Sequence, residues 1–172
     1  MSYTYSESPI NRQRRQAGGG GLMFWGAVMP NGLIALRLLK GNQNAEKYIE
    51  LLRNFAVPIM NLNMCGDYRF IQDNAIIHKA VLVSRYLENQ NFKVMDWPAK
   101  SPDLNLTENI WKMISDIVYQ GEQFKKYADL EENIWSAVTF INENKRHQVK
   151  ELFANFRCRL TKVLICGGNL IN

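Results

Sequence analysis

Two carboxylates at the ends of regular elements constrain this chain more than any other feature. Residues 68–72 are apolar enough to form a buried strand, and Asp73 follows directly. Residues 105–118 are predicted to form a helix with Glu108 in its first turn, because apolar residues recur there at helical spacing: Ile110, Met113, Ile114, Ile117 and Val118. Rigid elements hold side chains in fixed positions, so both carboxylates are candidates for one site.

Each carboxylate also has a structural interpretation, which the local pattern favours. An Asp at a strand end commonly accepts hydrogen bonds from turn amides, and Asn74 stands beside it. Asn105 and Glu108 have the spacing of a capping box, as N-cap and N3 residues. Glu108 lies nearly opposite the centre of the apolar stripe, so it need not face the core.

Two longer motifs contain these residues. The first is Gln72-Asp73-Asn74-Ala75 followed by His78, and the second extends from Trp97-Pro98 through Ser101-Pro102-Asp103-Leu104-Asn105 to Glu108. The order of these motifs and the 34 residues between the two acids resemble the catalytic core of the Tc/mariner (DDE) transposases. The phrase Gly19-Gly20-Gly21-Leu22-Met23-Phe24-Trp25-Gly26 also resembles this family. The resemblance extends from about residue 18 to near the C-terminus.

This resemblance implies a ribonuclease-H-like fold and a metal-dependent enzyme that cuts and integrates transposable DNA. Asp73 would bridge two Mg²⁺ or Mn²⁺ ions and Glu108 would bind one of them, since hard cations prefer carboxylate oxygens. Asn74 and Asn105 belong to the same motifs. His78 would orient a phosphate or a neighbouring side chain, and a histidine bonded only to its local backbone remains an equal alternative.

The main departure from the family is its first catalytic Asp. No Asp precedes Asp67, and the only acid before the first predicted strand is Glu7, too close to the glycines to be a favoured substitute. The sheet is therefore expected to lack its first central strand unless residues 1–11 supply it. With one ligand missing, we expect little or no strand transfer by this chain alone.

The order of predicted elements is a hairpin over residues 22–39, a helix to about Met60, strand, helix, strand, and then helices. This order predicts an α/β fold with a mixed sheet flanked by helices. We expect a flexible basic lead-in over residues 1–17 and one incomplete catalytic domain over residues 18–172. The last two helices are predicted at residues 129–144 and 148–165.

The charge balance favours a nucleic-acid partner. The net charge is +5, and from Lys145 onward six Lys or Arg residues face one acid. We expect DNA contacts from two basic clusters: Arg12, Arg14 and Arg15, and Lys145, Arg146, Lys150, Arg157 and Arg159. For Arg159 a packing role stays open.

Three widely spaced cysteines and the absence of a long apolar run predict a nuclear or cytoplasmic protein that is neither secreted nor in a membrane. The resemblance adds a possible homodimer. Three functions remain open from the sequence: an impaired transposase domain, a non-catalytic nucleic-acid-binding module, and a transposon remnant.

Overall fold

The structure is a computed structural model that describes residues 2–5, 21–63, 68–90, 92–95, 105–120 and 124–165. Five strands are present in this part of the chain: β1 Ser2–Tyr5, β2 Met23–Val28, β3 Ile34–Leu39, β4 Arg69–Phe70 and β5 Lys93–Val94. The helices are α1 Ala45–Leu51, α2 Val57–Asn63, α3 Val81–Asn89, α4 Leu106–Val118, α5 Tyr127–Asn144, α6 Arg146–Ala154 and α7 Phe156–Ile165.

The strands form one mixed sheet in the order β3-β2-β1-β4-β5. β2 pairs antiparallel with both β3 and β1, whereas β4 pairs parallel with β1 and β5. The sequence left open whether residues 1–11 supply the first central strand, and residues 2–5 do supply it. Strand β1 fills that place, and part of the predicted flexible lead-in is therefore the centre of the sheet.

The hairpin divides the core between the two faces of the sheet, because successive strand residues point to opposite sides. On one side Phe24, Val28 and Leu36 pack against α4, α5 and α6. On the other side Trp25 and Met29 pack against α1, α2 and α3. The predicted α/β layering is thus confirmed, with helices on both faces of the sheet.

The sequence predicts a helix capped by Asn42 or Asn44 that runs to about Met60, and the observed helix is continuous through Pro58 and ends at Asn63. Asn44 caps it by accepting a hydrogen bond from the Lys47 N–H, at 2.9 Å. Residues Leu52–Ala56 between α1 and α2 form a π-helical turn. Proline cannot donate the usual backbone hydrogen bond, and a widened turn just before it lets the helix continue.

Two other predicted helix boundaries were wrong. The helix predicted from Ala75 begins only at Val81, because residues 76–79 form a separate turn in which the N–H groups of His78 and Lys79 bond to the Ala75 carbonyl. The helix predicted over residues 148–165 is two helices, α6 and α7, joined at Asn155. The inward face predicted for α5 is confirmed, with these residues buried: Leu130, Ile134, Ala137, Val138 and Ile141. Among the described helices, none has the length and hydropathy that crossing a membrane requires.

Candidate active site

Asp73 lies three residues after β4, where the chain leaves the carboxyl end of the parallel part of the sheet. Its Oδ1 atom accepts two hydrogen bonds, from His78 Nδ1 at 2.6 Å and from the Ala75 N–H at 3.0 Å. Neither of these bonds uses Oδ2, and the side chain is 34% exposed. One oxygen is thus held by the protein, and the carboxylate is partly exposed.

The His78 ring that holds Asp73 lies in a buried network. Its side chain is fully buried, and the Tyr48 ring of α1 stacks obliquely on it with ring centroids 4.6 Å apart. The Tyr48 hydroxyl donates a hydrogen bond to Gln72 Oε1 at 2.9 Å, and Gln72 Nε2 donates to the His78 carbonyl at 3.4 Å. Buried aromatic and amide groups with satisfied hydrogen bonds fix one ring orientation, and through it one carboxylate orientation.

The electrostatics of this network keep Asp73 ionised. Burial raises the pKa of the Asp73 carboxyl, but the hydrogen bond from the His78 ring, the Ala75 N–H and the charge of the ring lower it more, and the pKa ends below its ordinary 3.8. An ionised carboxylate only accepts hydrogen bonds, so His78 Nδ1 must carry the proton. Asp73 therefore bonds the turn and the His78 ring through Oδ1 and keeps its negative charge.

Glu108 lies in a different environment, on the exposed side of the first turn of α4. The predicted N-cap is confirmed, because Asn105 Oδ1 accepts hydrogen bonds from the Thr107 N–H at 3.1 Å and from the Thr107 hydroxyl at 2.6 Å. The Asn105 side chain bonds at Thr107 and not at Glu108, whose own N–H bonds to the Asn105 carbonyl. In a capping box the Asn105 side chain would accept a hydrogen bond from the Glu108 N–H, and here it accepts one from the Thr107 N–H, one residue earlier.

The packing of α4 places its first turn against the sheet. Leu106 and Ile110 are buried in the core on the α4 side, and Trp111 lies over Gly26 of β2 so closely that an added Cβ would be 2.9 Å from the indole ring. Helix α4 also contacts β1, the strand that pairs with β4. Strand β1 therefore lies between the strand that leads to Asp73 and the helix that carries Glu108.

The donor chemistry of these two residues fits a hard divalent cation, since both supply carboxylate oxygens. No group of three or more His, Cys, Asp or Glu side chains within the described ranges is arranged to hold a metal ion. Asp73 and Glu108 are thus two candidate ligands of an incomplete set. Glu7 and Asp103 lie outside the described residues.

The predicted DNA contacts differ in their availability. Arg12, Arg14 and Arg15 lie outside the described residues, as does the side chain of Arg157. Lys150 is exposed on α6, and Lys145 is half-buried with Nζ 5.6 Å from the centre of the Phe140 ring. Two arginines bond within the protein: Arg146 Nε donates to the Asn31 carbonyl at 3.0 Å, and Arg159 Nη1 donates to Asn109 Oδ1 at 2.8 Å.

Sequence reasoning missed two contributors to the site. Tyr48 was assigned only to the inward face of a helix, 25 positions before Asp73, and Asn109 was not assigned at all. The sequence signal for Tyr48 is indirect. Helical spacing predicts that this tyrosine is buried, and a buried tyrosine hydroxyl usually has a hydrogen-bond partner, which the sequence does not identify. Nothing in the local pattern singles out Asn109.

The sheet order and the helices on both faces define a ribonuclease-H-like fold. Solved structures of the Mos1 mariner transposase catalytic domain match this fold with TM-scores of 0.79 and, for a complex with Raltegravir and Mg, 0.80. These matches cover 99% of this chain and 84% and 85% of the solved chains, at 21% identity. At this identity the likeness shows the fold alone.

The family follows from the sequence comparison. The family model for the DDE superfamily endonuclease matches residues 6–131, which is most of the chain. The chain is 32% identical over 167 residues to the Tc3 transposase of Caenorhabditis elegans, and 27% identical over 124 residues to the Tc1 transposase of the same organism. The chain therefore belongs to the DDE endonuclease superfamily, as a Tc/mariner-type transposase domain.

The extent of these matches is unequal on the two sides. The Tc3 alignment covers 96% of this chain but 50% of the relative, and the Tc1 alignment covers 70% of this chain and 45% of the relative. This chain thus spans about half the length of the curated relatives that it matches.

Proposed function

We propose that this chain acts as the catalytic domain of a DNA transposase that cuts and joins transposon DNA with bound Mg²⁺ or Mn²⁺. The observation that carries the proposal is Asp73: Oδ1 is fixed by His78 and Ala75, while Oδ2 is free of hydrogen bonds from the described residues. A fixed, ionised carboxylate at a strand end is what a metal site needs before the metal arrives. Mos1 has been solved with Mn and with Mg, which supports divalent metal use in the family.

In this proposal Asp73 and Glu108 would hold the metal. The bound metal would lower the pKa of the attacking oxygen and stabilise the leaving oxygen. The chain's own residues do the rest. His78 donates its Nδ1–H to Asp73 Oδ1 and so restrains rotation of the carboxylate. Tyr48 stacks on the buried His78 ring and Gln72 bonds the His78 carbonyl, so both residues restrain the imidazole that bonds Asp73.

We propose Glu7 as a third ligand, in place of the family's first Asp. In the sequence, Glu7 lies too close to the glycines to be a favoured ligand. However, β1 is the central strand of the sheet and ends just before Glu7, so the short separation no longer counts against this residue. Glu7 follows the end of β1 by two residues, which reach at most about 7 Å when extended. Strand β1 runs parallel to β4, so both strands lead toward the same edge of the sheet.

The proposed substrate is DNA. This is supported by the Mos1 mariner transposase, a protein of similar fold, which has been solved in a paired end complex with Mn and in a strand transfer complex. The exposed cation of Lys150 and the half-buried Lys145 are the described candidates for backbone contacts. A location in the nucleus and a homodimer that holds two DNA ends are parts of the same proposal.

A nicking assay tests the proposed function. Supercoiled plasmid is incubated with the full chain and Mn²⁺, Mg²⁺ or a chelator, and the nicked form is measured. Nicking that requires Mn²⁺ and falls at least about 100-fold in Asp73→Asn, Glu108→Gln and Glu7→Gln supports the proposal. Nicking that persists in Glu7→Gln rejects Glu7 as a ligand, and nicking unchanged in all three variants rejects the catalytic assignment.

The second candidate is a nucleic-acid-binding module without catalysis. It is favoured by the absence, among the described residues, of a complete set of three metal ligands. Its signature is DNA binding that weakens steeply with salt and is unchanged by Asp73→Asn, since counterion release depends on phosphate contacts and not on the carboxylates. Binding of this kind without any metal-dependent nicking would establish the module in place of the enzyme.

A further inference from the structure

Arg159 forms a hydrogen bond with the helix turn that carries Glu108. Its Nη1 atom donates a hydrogen bond of 2.8 Å to Oδ1 of Asn109, the residue that follows Glu108 on α4. The two residues are 50 positions apart in the sequence, and both side chains are half-buried. Water therefore screens this bond only in part, and a guanidinium donor makes it stronger than a bond between neutral groups.

The base of Arg159 is itself fixed. Phe156, one turn earlier on α7, packs against the core cluster formed by the sheet and α4–α6. The Arg159 N–H bonds to the Asn155 carbonyl at 3.1 Å and closes the first turn of α7. The guanidinium thus projects from a docked helix start, and a donor on a fixed base restrains the acceptor that it bonds.

The turn that receives this bond needs a restraint. First turns of helices fray, because their N–H groups have no intrahelical partners. Leu106 and Ile110 anchor one side of the α4 turn in the core, and Asn105 caps its end. The Glu108 side chain is on the exposed side of this turn, away from the apolar contacts of Leu106 and Ile110. The Arg159–Asn109 bond is directional and acts one residue from Glu108.

We propose that Arg159 is a positioning residue that holds the Glu108 carboxylate ready for the divalent metal by bonding Asn109. The inference rests on the proposed function, since it gives Glu108 the role of a metal ligand. Of the two roles that the sequence left open for Arg159, this inference takes the one within the protein, because its described side-chain bond is to Asn109.

The test uses the full chain and three variants: Arg159→Met, Asn109→Ala and Glu108→Gln. Arg85→Met is the matched control, because Arg85 is exposed on α3 and loses the same charge. Two quantities are measured for each protein. Hydrogen exchange of the Thr107 and Glu108 amides without metal reports the order of the turn, and Mn²⁺ affinity is measured from the electron paramagnetic resonance signal of free Mn²⁺.

We expect Arg159→Met and Asn109→Ala to speed exchange at both amides and to raise the Mn²⁺ Kd about tenfold, at the lower end of the loss that follows removal of an outer-shell partner. A double variant that combines Arg159→Met with Asn109→Ala is expected to lose no more than either single variant, because each substitution removes the same hydrogen bond. Arg85→Met is expected to match the parent protein in both measurements.

Three different results would overturn the inference. If Glu108→Gln weakens Mn²⁺ binding while Arg159→Met does not, the positioning role is wrong and the proposed metal site stands. If Glu108→Gln leaves Mn²⁺ binding unchanged, the metal role of Glu108 fails and the positioning role fails with it. A loss of DNA affinity in Arg159→Met, with exchange and Mn²⁺ binding both unchanged, would assign Arg159 to the DNA surface.

Discussion

The two carboxylates of the candidate site are held in opposite ways. Asp73 depends on buried groups: His78, Gln72 and Tyr48 are each at least nine-tenths buried, and their contacts leave one orientation for the carboxylate. Glu108 is exposed on a helix turn that is held by the core residues Leu106 and Ile110, by the Asn105 cap and by the hydrogen bond from Arg159 to Asn109. The first carboxylate is therefore held by buried groups of the core, whereas the second lies on the surface of its helix.

This difference separates stability from function. A substitution in the Asp73 network should reduce the free energy of unfolding and metal binding together, because the same contacts serve both. A substitution at Glu108 should affect metal binding with little effect on folding. The predictions below test this contrast, from the largest expected effect to the smallest.

His78→Ala should have the largest effect on stability. It empties a buried site between Tyr48 and Asp73 and removes the hydrogen bond to Oδ1, so we expect a loss of about 2–4 kcal/mol in the free energy of unfolding. Glu108→Ala should change it by about 0.5 kcal/mol or less, as an exposed substitution does. Urea unfolding measures both. Equal losses in the two variants would contradict the contrast between the two carboxylates.

Gly26→Ala should come second, and it acts on the α4 side. The new Cβ would meet the Trp111 ring at 2.9 Å, so the indole and its helix must shift. Overpacking of this kind costs about 1–3 kcal/mol. Because the shift moves the helix that carries Glu108, we expect weaker Mn²⁺ binding as well. Unfolding and Mn²⁺ titration are measured on one sample, and unchanged values would mean that α4 yields without cost.

Tyr48→Phe should destabilise the protein by about 1–3 kcal/mol, because it leaves the buried Gln72 Oε1 without its hydroxyl donor. Tyr86→Phe is the matched control: it removes a hydroxyl from a half-buried ring on α3 and keeps the ring's cation–π contact with Arg53. Thermal unfolding compares the two. If both variants lose the same stability, the Tyr48 bond contributes nothing specific to the Asp73 network.

Asn105→Ala should cost about 1 kcal/mol, since it removes the N-cap of α4. Asn105→Ser keeps a capping oxygen and should recover most of that loss. Circular dichroism during urea unfolding gives both values. A full loss in the serine variant would show that Asn105 acts through contacts other than the cap.

The smallest predicted effect is a pH dependence. Because the folded pKa of Asp73 lies below its ordinary 3.8, the charged carboxylate contributes stability in full above that value, and the contribution falls as pH drops through the folded pKa. The difference in unfolding free energy between the parent protein and Asp73→Asn should therefore shrink below about pH 4. Urea unfolding between pH 3 and pH 6 tests this, and a difference that grows toward low pH would give the pKa shift the opposite sign.

The sequence by itself determined most of the regular elements, and its two motifs singled out Asp73 and Glu108 as candidate site residues. Two apolar runs around the turn signal at residues 30–32 predicted the hairpin, and helical periodicity predicted α4 and α5 with their buried faces. Side-chain chemistry predicted Asn105 as one cap and either Asn42 or Asn44 as the other. These features depend on residues close together in the chain, where spacing translates directly into geometry.

Only the tertiary structure decided which distant segments meet. It placed β1 between β2 and β4, although its four residues have no pattern that singles out a central strand. It brought Tyr48 onto His78 and Arg159 onto Asn109, and it ended the continuity of the predicted helices at residues 76–79 and at Asn155. Such contacts join positions far apart in the chain, and their geometry is set by the packing of whole helices on the sheet, which no local spacing encodes.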